Sequence, residues 1–299
     1  MIDVIEQVVT DSYALYNGDS CEVIRGLPDN SIHYTIFSPP FASLYTYSNS
    51  DRDMGNSKDD DQFYEHFRFL AEELYRVTMP GRLLSFHCMD LPKMKERDGV
   101  IGLKDFPALV RKIFEDVGFI YHSRVTVWKN PVTEMQRTKA IGLLHKQVKK
   151  DSAMVRMGLP DYILTMRKDG DNPERVEHTD DEFPVDVWQR YASPVWMDIN
   201  QSDTLQRESA REQEDERHIC PLQLPVIQRC IELWTNSNDI VLDPFGGIGS
   251  TAYVARTIGR RAISCELKES YYRQMVANVA NAEVLKDNNV VDGQLTFDL

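Results

Sequence analysis

The sequence predicts an α/β protein built on a doubly wound, mostly parallel sheet, and three observations carry that expectation. Short apolar runs of strand character alternate with stretches whose apolar residues recur at helical spacing. Late in the chain, Ile240-Val241-Leu242-Asp243 runs into Pro244-Phe245-Gly246-Gly247-Ile248-Gly249-Ser250-Thr251, a strand followed by a glycine-rich turn and a helix start. Acids close two other strands, Asp19 early and Glu266 late, where a doubly wound sheet opens its ligand crevice.

The elements follow in order. Ser12 to Asn17 reads as a strand ending at Gly18-Asp19, and Cys21 to Leu27 as a short helix closed by Pro28-Asp29-Asn30. Ile32 to Phe37 is a buried strand, stopped by Ser38-Pro39-Pro40 because two prolines cannot extend a central ladder. The polar stretch from Ala42 to Asp61 is a loop. Phe63, Phe67, Leu70, Leu74 and Val77 define a helix that Pro80-Gly81 should end. Arg82 to His87 is a strand, Phe106 to Val117 an amphipathic helix with Gly118 behind it, and Tyr121 to Trp128 an alternating strand. From about Asn130 to Glu216 the rhythm breaks into polar sequence with isolated aromatics (Trp188, Tyr191, Trp196), ending in a charge run, Arg207 to Arg217, that reads as a solvated helix. The rhythm then resumes: helix from Leu222 to Trp234, strand from Asp239 to Leu242, helix from Ser250 to Ile258, strand from Ala262 to Cys265, helix from Tyr271 to Ala280.

Bulk properties narrow the function. The chain has 299 residues, enough for one large domain with insertions or two modest ones. No run of about 18 apolar residues marks a membrane span, and the first residues lack the basic and apolar regions of a secretory signal. A cytoplasmic location is therefore expected. The five cysteines form no C-x-x-C pair, which argues against a disulfide framework and against a zinc site. Net charge is -13, against a generic nucleic-acid binder, but nine Lys/Arg and three acids between Lys129 and Lys168 give that stretch +6 and leave -19 for the rest. An acidic body with one basic segment suits a protein that touches nucleic acid along a single face; a solvated basic helix would give the same count.

The glycine-rich turn is chemically informative. Glycines let a ligand approach the backbone, and a helix start offers free N–H groups to an anion. Glu266 lies 23 residues after Asp243, where a doubly wound fold places an acid to hold ribose hydroxyls. The spacing is not the dinucleotide G-x-G-x-x-G. Asp19 ends an earlier strand, as a ligand contact or as a helix N-cap.

Ser38-Pro39-Pro40-Phe41 resembles the (Asp/Asn/Ser)-Pro-Pro-(aromatic) signature of DNA amino-methyltransferases, and Asp243 to Thr251 resembles their cofactor loop. Here the signature precedes the loop, which is the circularly permuted order of the beta class. Asn17-Gly18-Asp19 resembles that family's adenine-contacting motif, Cys220-Pro221-Leu222-Gln223 the motif bordering the methionine end of the cofactor, and Glu266-Leu267-Lys268 the ribose motif. Val127 to Pro131 resembles the strand before the target-recognition region.

The resemblance implies a Rossmann-like methyltransferase fold. Its catalytic half would span residues 1–128, a target-recognition insertion 129–216, and the cofactor-binding half 217–299. It implies S-adenosyl-L-methionine as cofactor, held by Asp19, Pro221, Asp243, Pro244, Phe245, Gly246, Gly247, Gly249, Ser250 and Glu266. Catalysis would rest on Ser38, Pro39, Pro40 and Phe41, without a metal.

The chemistry is consistent with those residue types. An exocyclic amine is a poor nucleophile because its lone pair is delocalised into the ring. Two acceptors, the Ser38 hydroxyl and the Pro39 carbonyl, can draw on its N–H groups, and prolines fix that carbonyl in place. Phe41 offers a face for the base, which must be flipped from the duplex.

Double-stranded DNA is the implied partner, met by Arg52, Lys129, Arg137, Lys139, Lys146, Lys149, Lys150 and Arg156. A second copy and a cognate restriction endonuclease are further implied partners, although no feature of the sequence marks an interface. Serine at the first signature position leans toward cytosine N4, with adenine N6 the alternative, since a hydroxyl accepts a hydrogen bond more weakly than a carboxylate. An RNA or protein amino-methyltransferase usually carries the cofactor loop first. An inactive DNA-binding homologue would not need both motifs intact.

Overall fold

The computed structural model describes residues 4–40, 60–93, 95–138, 145–150, 157–205 and 221–282. Its elements in chain order are β1 (Glu6–Val9), β2 (Tyr13–Asn17), α1 (Ser20–Arg25), β3 (Ile32–Phe37), α2 (Asp60–Val77), β4 (Thr78–Cys88), β5 (Leu91–Lys93), α3 (Lys95–Asp98), β6 (Gly102–Lys104) and α4 (Phe106–Asp116). They continue as β7 (Ile120–Val127), α5 (Pro131–Thr138), α6 (His145–Val148), β8 (Asp161–Arg167), α7 (Val185–Tyr191), β9 (Val195–Trp196), α8 (Leu224–Trp234), β10 (Ile240–Asp243), α9 (Ser250–Thr257), β11 (Arg261–Glu266) and α10 (Glu269–Ala280).

Nine strands form one sheet in the order β1-β2-β11-β10-β3-β4-β8-β7-β9, and β5 and β6 pair separately. From β2 to β4 every neighbouring pair is parallel, β8 runs antiparallel to both β4 and β7, and β1 is antiparallel to β2. Among the described residues, the last two strands thus sit between the second and the third. That insertion is the spatial form of the permuted motif order.

Helices cover both faces, as an all-buried parallel core requires. On one face Val23 and Ile24 of α1, Phe63, Phe67 and Leu70 of α2, and Val110 and Phe114 of α4 pack against Tyr16, Phe37 and Leu242. On the other, Val226 and Ile227 of α8, Ala252 and Ala255 of α9, and Met275 and Val279 of α10 pack against Leu15, Tyr34 and Val241. Successive strand residues alternate between the two clusters, the period of two that a pleated strand imposes.

Three local findings correct the reading of the sequence. Pro80-Gly81 does not end α2: the helix stops at Val77 and β4 starts at Thr78. The terminal carbonyls of Arg76 and Val77 are taken by the Asn30 and Ser31 N–H groups, and the β3–β4 register shifts between Ile32 and Tyr34, which admits the proline. Gly81 then turns with φ +74. Inside the polar stretch after Asn130, Asp161–Arg167 is a strand of the main sheet, and Trp196 is buried beneath Arg229. The expected loop from Ala42 and the helix from Arg207 to Arg217 lie mostly or wholly outside the described residues.

Candidate active site

Strand direction places the candidate residues along one edge. The parallel strands β2, β11, β10, β3 and β4 all end there, so Asp19, Glu266, Asp243, Ser38 and His87 stand at successive positions along it. Antiparallel β8 begins there with Asp161, and β7 ends there just before Lys129. β10 and β3 are adjacent, so the glycine-rich turn and the Ser38 loop leave neighbouring strands at the point where the strand order reverses.

On the β2–β11–β10 side the turn is held by its own acids. The Gly247 N–H donates to Glu266 Oε2 at 2.8 Å, and the Lys268 N–H to Glu266 Oε1 at 2.8 Å. A carboxylate oxygen can accept more than one hydrogen bond. Asp243 accepts from the Phe245 N–H at 2.9 Å. Its burial pushes the carboxyl up to about 6, although Thr251 and that N–H pull the other way. Gly249, at φ +90, caps α9 beside Met275, and a Cβ there would stand 2.8 Å from Met275 Cγ. Gly246 is equally tight, 2.9 Å from Met275 Sδ, whereas Gly247 at φ +53 has no atom within 4 Å of such a Cβ. Gly246 and Gly249 therefore serve packing, and Gly247 presents open backbone.

Asp19 caps α1 through Oδ1, which accepts from the Cys21 N–H at 2.8 Å. Ser20 Oγ, beside it, donates to the Pro244 carbonyl. Asn17 Nδ2 donates to the Glu266 and Leu267 carbonyls at 2.8 and 3.1 Å, drawing the ends of β2 and β11 together. Two buried acceptors at this edge, Asn17 Oδ1 and Gln223 Oε1 at the start of α8 beside Pro221, have no hydrogen-bond partner among the described residues. Unpaired buried acceptors, strand-end carboxylates and the N–H groups opening α9, at Ser250 and beyond, fit a ligand carrying amine, hydroxyl and carboxylate groups. The Phe245 ring packs against Phe37 and Phe67, so the chain contributes its backbone to the turn and its side chain to the core.

On the β3–β4 side, the pairing Phe37↔Phe86 continues one step to bring Ser38 beside His87. Ser38 Oγ and His87 Nδ1 are 3.0 Å apart. His87 Nε2 lies 3.1 Å from Asp161 Oδ2, off the axis of the ring N–H, and Lys129 Nζ lies 2.5 Å from Asp161 Oδ1. The Asp161 side chain is 3% exposed, that of His87 13% and that of Lys129 18%. Burial alone would raise the Asp161 carboxyl; His87 and Lys129 outweigh it and hold the group at about 2. Pro39 and Pro40 are buried behind Ser38. Phe41 lies outside the described residues.

Neither His87 nor Asp161 was marked by sequence. Each is a single polar residue at a strand end, and only the pairing of β4 with β8 joins them.

Of the basic residues expected to meet DNA, Lys146, Lys149 and Lys150 are exposed. Lys129 is paired to Asp161. Arg52, Lys139 and Arg156 lie outside the described residues, as does the side chain of Arg137. Two cations of the same stretch serve the opposite edge of the sheet. Arg167 donates to the Gly170 carbonyl at 2.7 Å, and Lys168 Nζ to the Thr78 carbonyl at 2.7 Å and to Asn30.

That opposite edge also carries the one group of three potential metal ligands found among the described residues, His33, Glu174 and Asp239. It is a poor metal centre. His33 Nδ1 accepts from the Ile240 N–H at 3.1 Å, so in the neutral ring Nε2 holds the proton and points it at Glu174, while Arg82 already neutralises Asp239. Among the described residues no helix is long and apolar enough to cross a membrane.

A family model described as DNA methylase matches residues 32–277. Among curated proteins, the chain is 25% identical to the type II methyltransferase M.BglII of Bacillus subtilis over 290 residues, covering 92% of this chain and 71% of that one. It is 22% identical to the type II methyltransferase M.MjaI of Methanocaldococcus jannaschii over 292 residues, covering 88% and 89%. Among solved structures, a Thermus thermophilus protein complexed with S-adenosyl-L-methionine superposes with a TM-score of 0.68 at 21% identity, over 90% of this chain and 93% of that one. The PvuII DNA methyltransferase, titled cytosine-N4-specific, gives a TM-score of 0.65 at 18% identity, over 97% and 92%. At these identities the structural likeness is one of fold.

Proposed function

The chain belongs to the DNA methylase family, and from that membership we propose that it transfers the methyl group of S-adenosyl-L-methionine to the exocyclic amine of a base flipped out of duplex DNA. The observation that carries this reading is the adjacency of β10 and β3, which brings the glycine-rich turn and Ser38 to one crevice. A methyl donor on the turn and an amine at Ser38 would then be neighbours.

The donor would be held by Asp19 and Glu266 on its adenosine side. The Gly247 backbone, the α9 N-terminus and Gln223 would hold its methionine side. When bound, it supplies an electrophilic methyl group on a sulfonium. The protein's own work is to orient the amine. Ser38 Oγ and the Pro39 carbonyl accept its N–H hydrogens, which pulls the nitrogen toward a tetrahedral geometry with a free lone pair. No covalent nucleophile is needed.

Cytosine N4 is the favoured target. Serine in place of a carboxylate at the first signature position supports it. Lys146, Lys149 and Lys150, exposed beyond β7, would meet the DNA backbone. The experiment is mass spectrometry of nucleosides from DNA treated with the protein and cofactor. N4-methyldeoxycytidine is expected; N6-methyldeoxyadenosine would reassign the base and leave the methylase reading intact.

A further inference from the structure

We infer that His87, backed by Asp161 and Lys129, takes the proton that Ser38 passes on when the target amine is methylated. The inference rests on the methylase reading of the same site and extends it to a residue outside the Ser-Pro-Pro-aromatic signature.

The polarity of the chain of contacts is fixed from its buried end. Asp161 is an ionised carboxylate between two cations or potential cations, and it faces His87 Nε2. The carboxylate 3.1 Å away favours a proton on that nitrogen, although the contact lies off the N–H axis, and in the neutral ring Nδ1 is then left with the lone pair. The Ser38 hydroxyl, 3.0 Å from Nδ1, must then donate to it. Donation in that direction leaves the lone pairs of Ser38 Oγ facing outward, as acceptors. A serine alone can turn its hydroxyl either way; His87 holds it in the orientation that an amine substrate requires.

The same contacts give the reaction proton a path. The amine nitrogen bonds the methyl carbon as the carbon–sulfur bond breaks, and the sulfur keeps the electron pair. The amine then carries one proton too many. That proton passes to Ser38 Oγ while the Ser38 hydroxyl proton moves to His87 Nδ1. The product is a neutral methylated amine and an imidazolium beside the Asp161 carboxylate, which later releases its proton to solvent. His87 touches Ser38 and not the base, so it is a positioning residue that also stores the proton.

The charged groups around His87 are Asp161 on β8 and Lys129 after β7. Asp90 follows on the far side of Cys88, Arg124 of β7 lies over Tyr162, and Asp243 ends β10, one strand beyond β3.

The test combines single-turnover methylation of unmethylated genomic DNA across pH, cofactor affinity by calorimetry, and nitrogen NMR of the histidine rings in the free protein, which reads the ring nitrogen that holds the proton. In the wild type the methyl-transfer rate should fall on the acid side, as His87 becomes protonated and can no longer accept. His87→Gln, which keeps a polar group at Ser38 but cannot take a proton, should lose about 100-fold in rate and lose the acid limb, with cofactor affinity unchanged within about twofold. In the wild type the NMR signature should place the His87 ring proton on Nε2; a ring proton on Nδ1 overturns the relay. A His87→Gln protein that keeps the wild-type rate and acid limb overturns the relay, as does one whose cofactor affinity falls in step with its rate. A wild type that binds S-adenosyl-L-methionine but methylates no DNA overturns the methylase reading and the relay together; the preceding outcomes overturn the relay alone.

Discussion

Gly247 donates its backbone N–H to Glu266 at 2.8 Å, which ties the turn after β10 to the acid that ends β11. The same carboxylate accepts from Lys268. Glu266 therefore shapes the turn before any ligand arrives. A hydrogen bond to a charged acceptor contributes about 1.5–3 kcal/mol. Glu266→Ala is expected to weaken S-adenosyl-L-methionine binding by roughly 10- to 100-fold, read by calorimetry. Unchanged affinity would separate Glu266 from the cofactor.

The glycines of the turn divide by what stands beside them. Gly249→Ala forces a Cβ to 2.8 Å from Met275 Cγ at φ +90, whereas the same change at Gly247 meets no atom within 4 Å. The expected loss of stability is about 2–4 kcal/mol for Gly249→Ala and about 1 kcal/mol for Gly247→Ala, measured by urea unfolding. Gly247→Ala should nevertheless harm cofactor binding, because its methyl group would occupy the open side of the turn.

Asp161 sets a stability signature. Its folded carboxyl, held at about 2, lies below the ordinary 3.8. A depressed carboxylate stabilises the fold above its unfolded pKa and loses that contribution as pH falls from about 4 to about 2. Asp161→Asn should thus cost about 2–3 kcal/mol at pH 7, and the difference from wild type should shrink below pH 4.

Asp243 predicts the opposite sign. Its folded carboxyl is raised from 3.8 to about 6. A raised carboxyl stabilises the fold fully only below its unfolded pKa, and the contribution is lost as pH rises through 6. Asp243→Asn keeps an acceptor for the Phe245 N–H and removes the buried charge. The variant should be more stable than wild type at pH 8 and indistinguishable from it at pH 4, by thermal unfolding at both pH values.

Much of the fold was legible because the relevant signals are local. Ile32–Phe37 is apolar throughout and flanked by turn residues, and it forms β3 over that same span. Phe63 to Val77 shows helical spacing and forms most of α2. The edge strand Glu6–Val9 went unread because its side chains are largely exposed, so no burial pattern marks it. Asp161–Arg167 carries a local strand signal, the run Tyr162-Ile163-Leu164-Thr165-Met166 between Pro160 and Gly170, and went unread because the charged sequence around it masked that run. The site divides in the same way. Asp243 to Gly249 is a continuous motif, and Ser38-Pro39-Pro40 another. Ser38, His87, Asp161 and Lys129 come together only through the order of β3, β4, β8 and β7, which no sequence spacing records.

Methyl transfer to DNA can be measured by incubating the protein with S-adenosyl-L-methionine carrying a tritiated methyl group and, in parallel, with unmethylated duplex DNA, RNA and protein. Label is predicted in the DNA alone, and Ser38→Ala should reduce it at least about tenfold while cofactor binding persists. Label in RNA or protein without label in DNA, or none in any acceptor despite bound cofactor, would contradict the assignment.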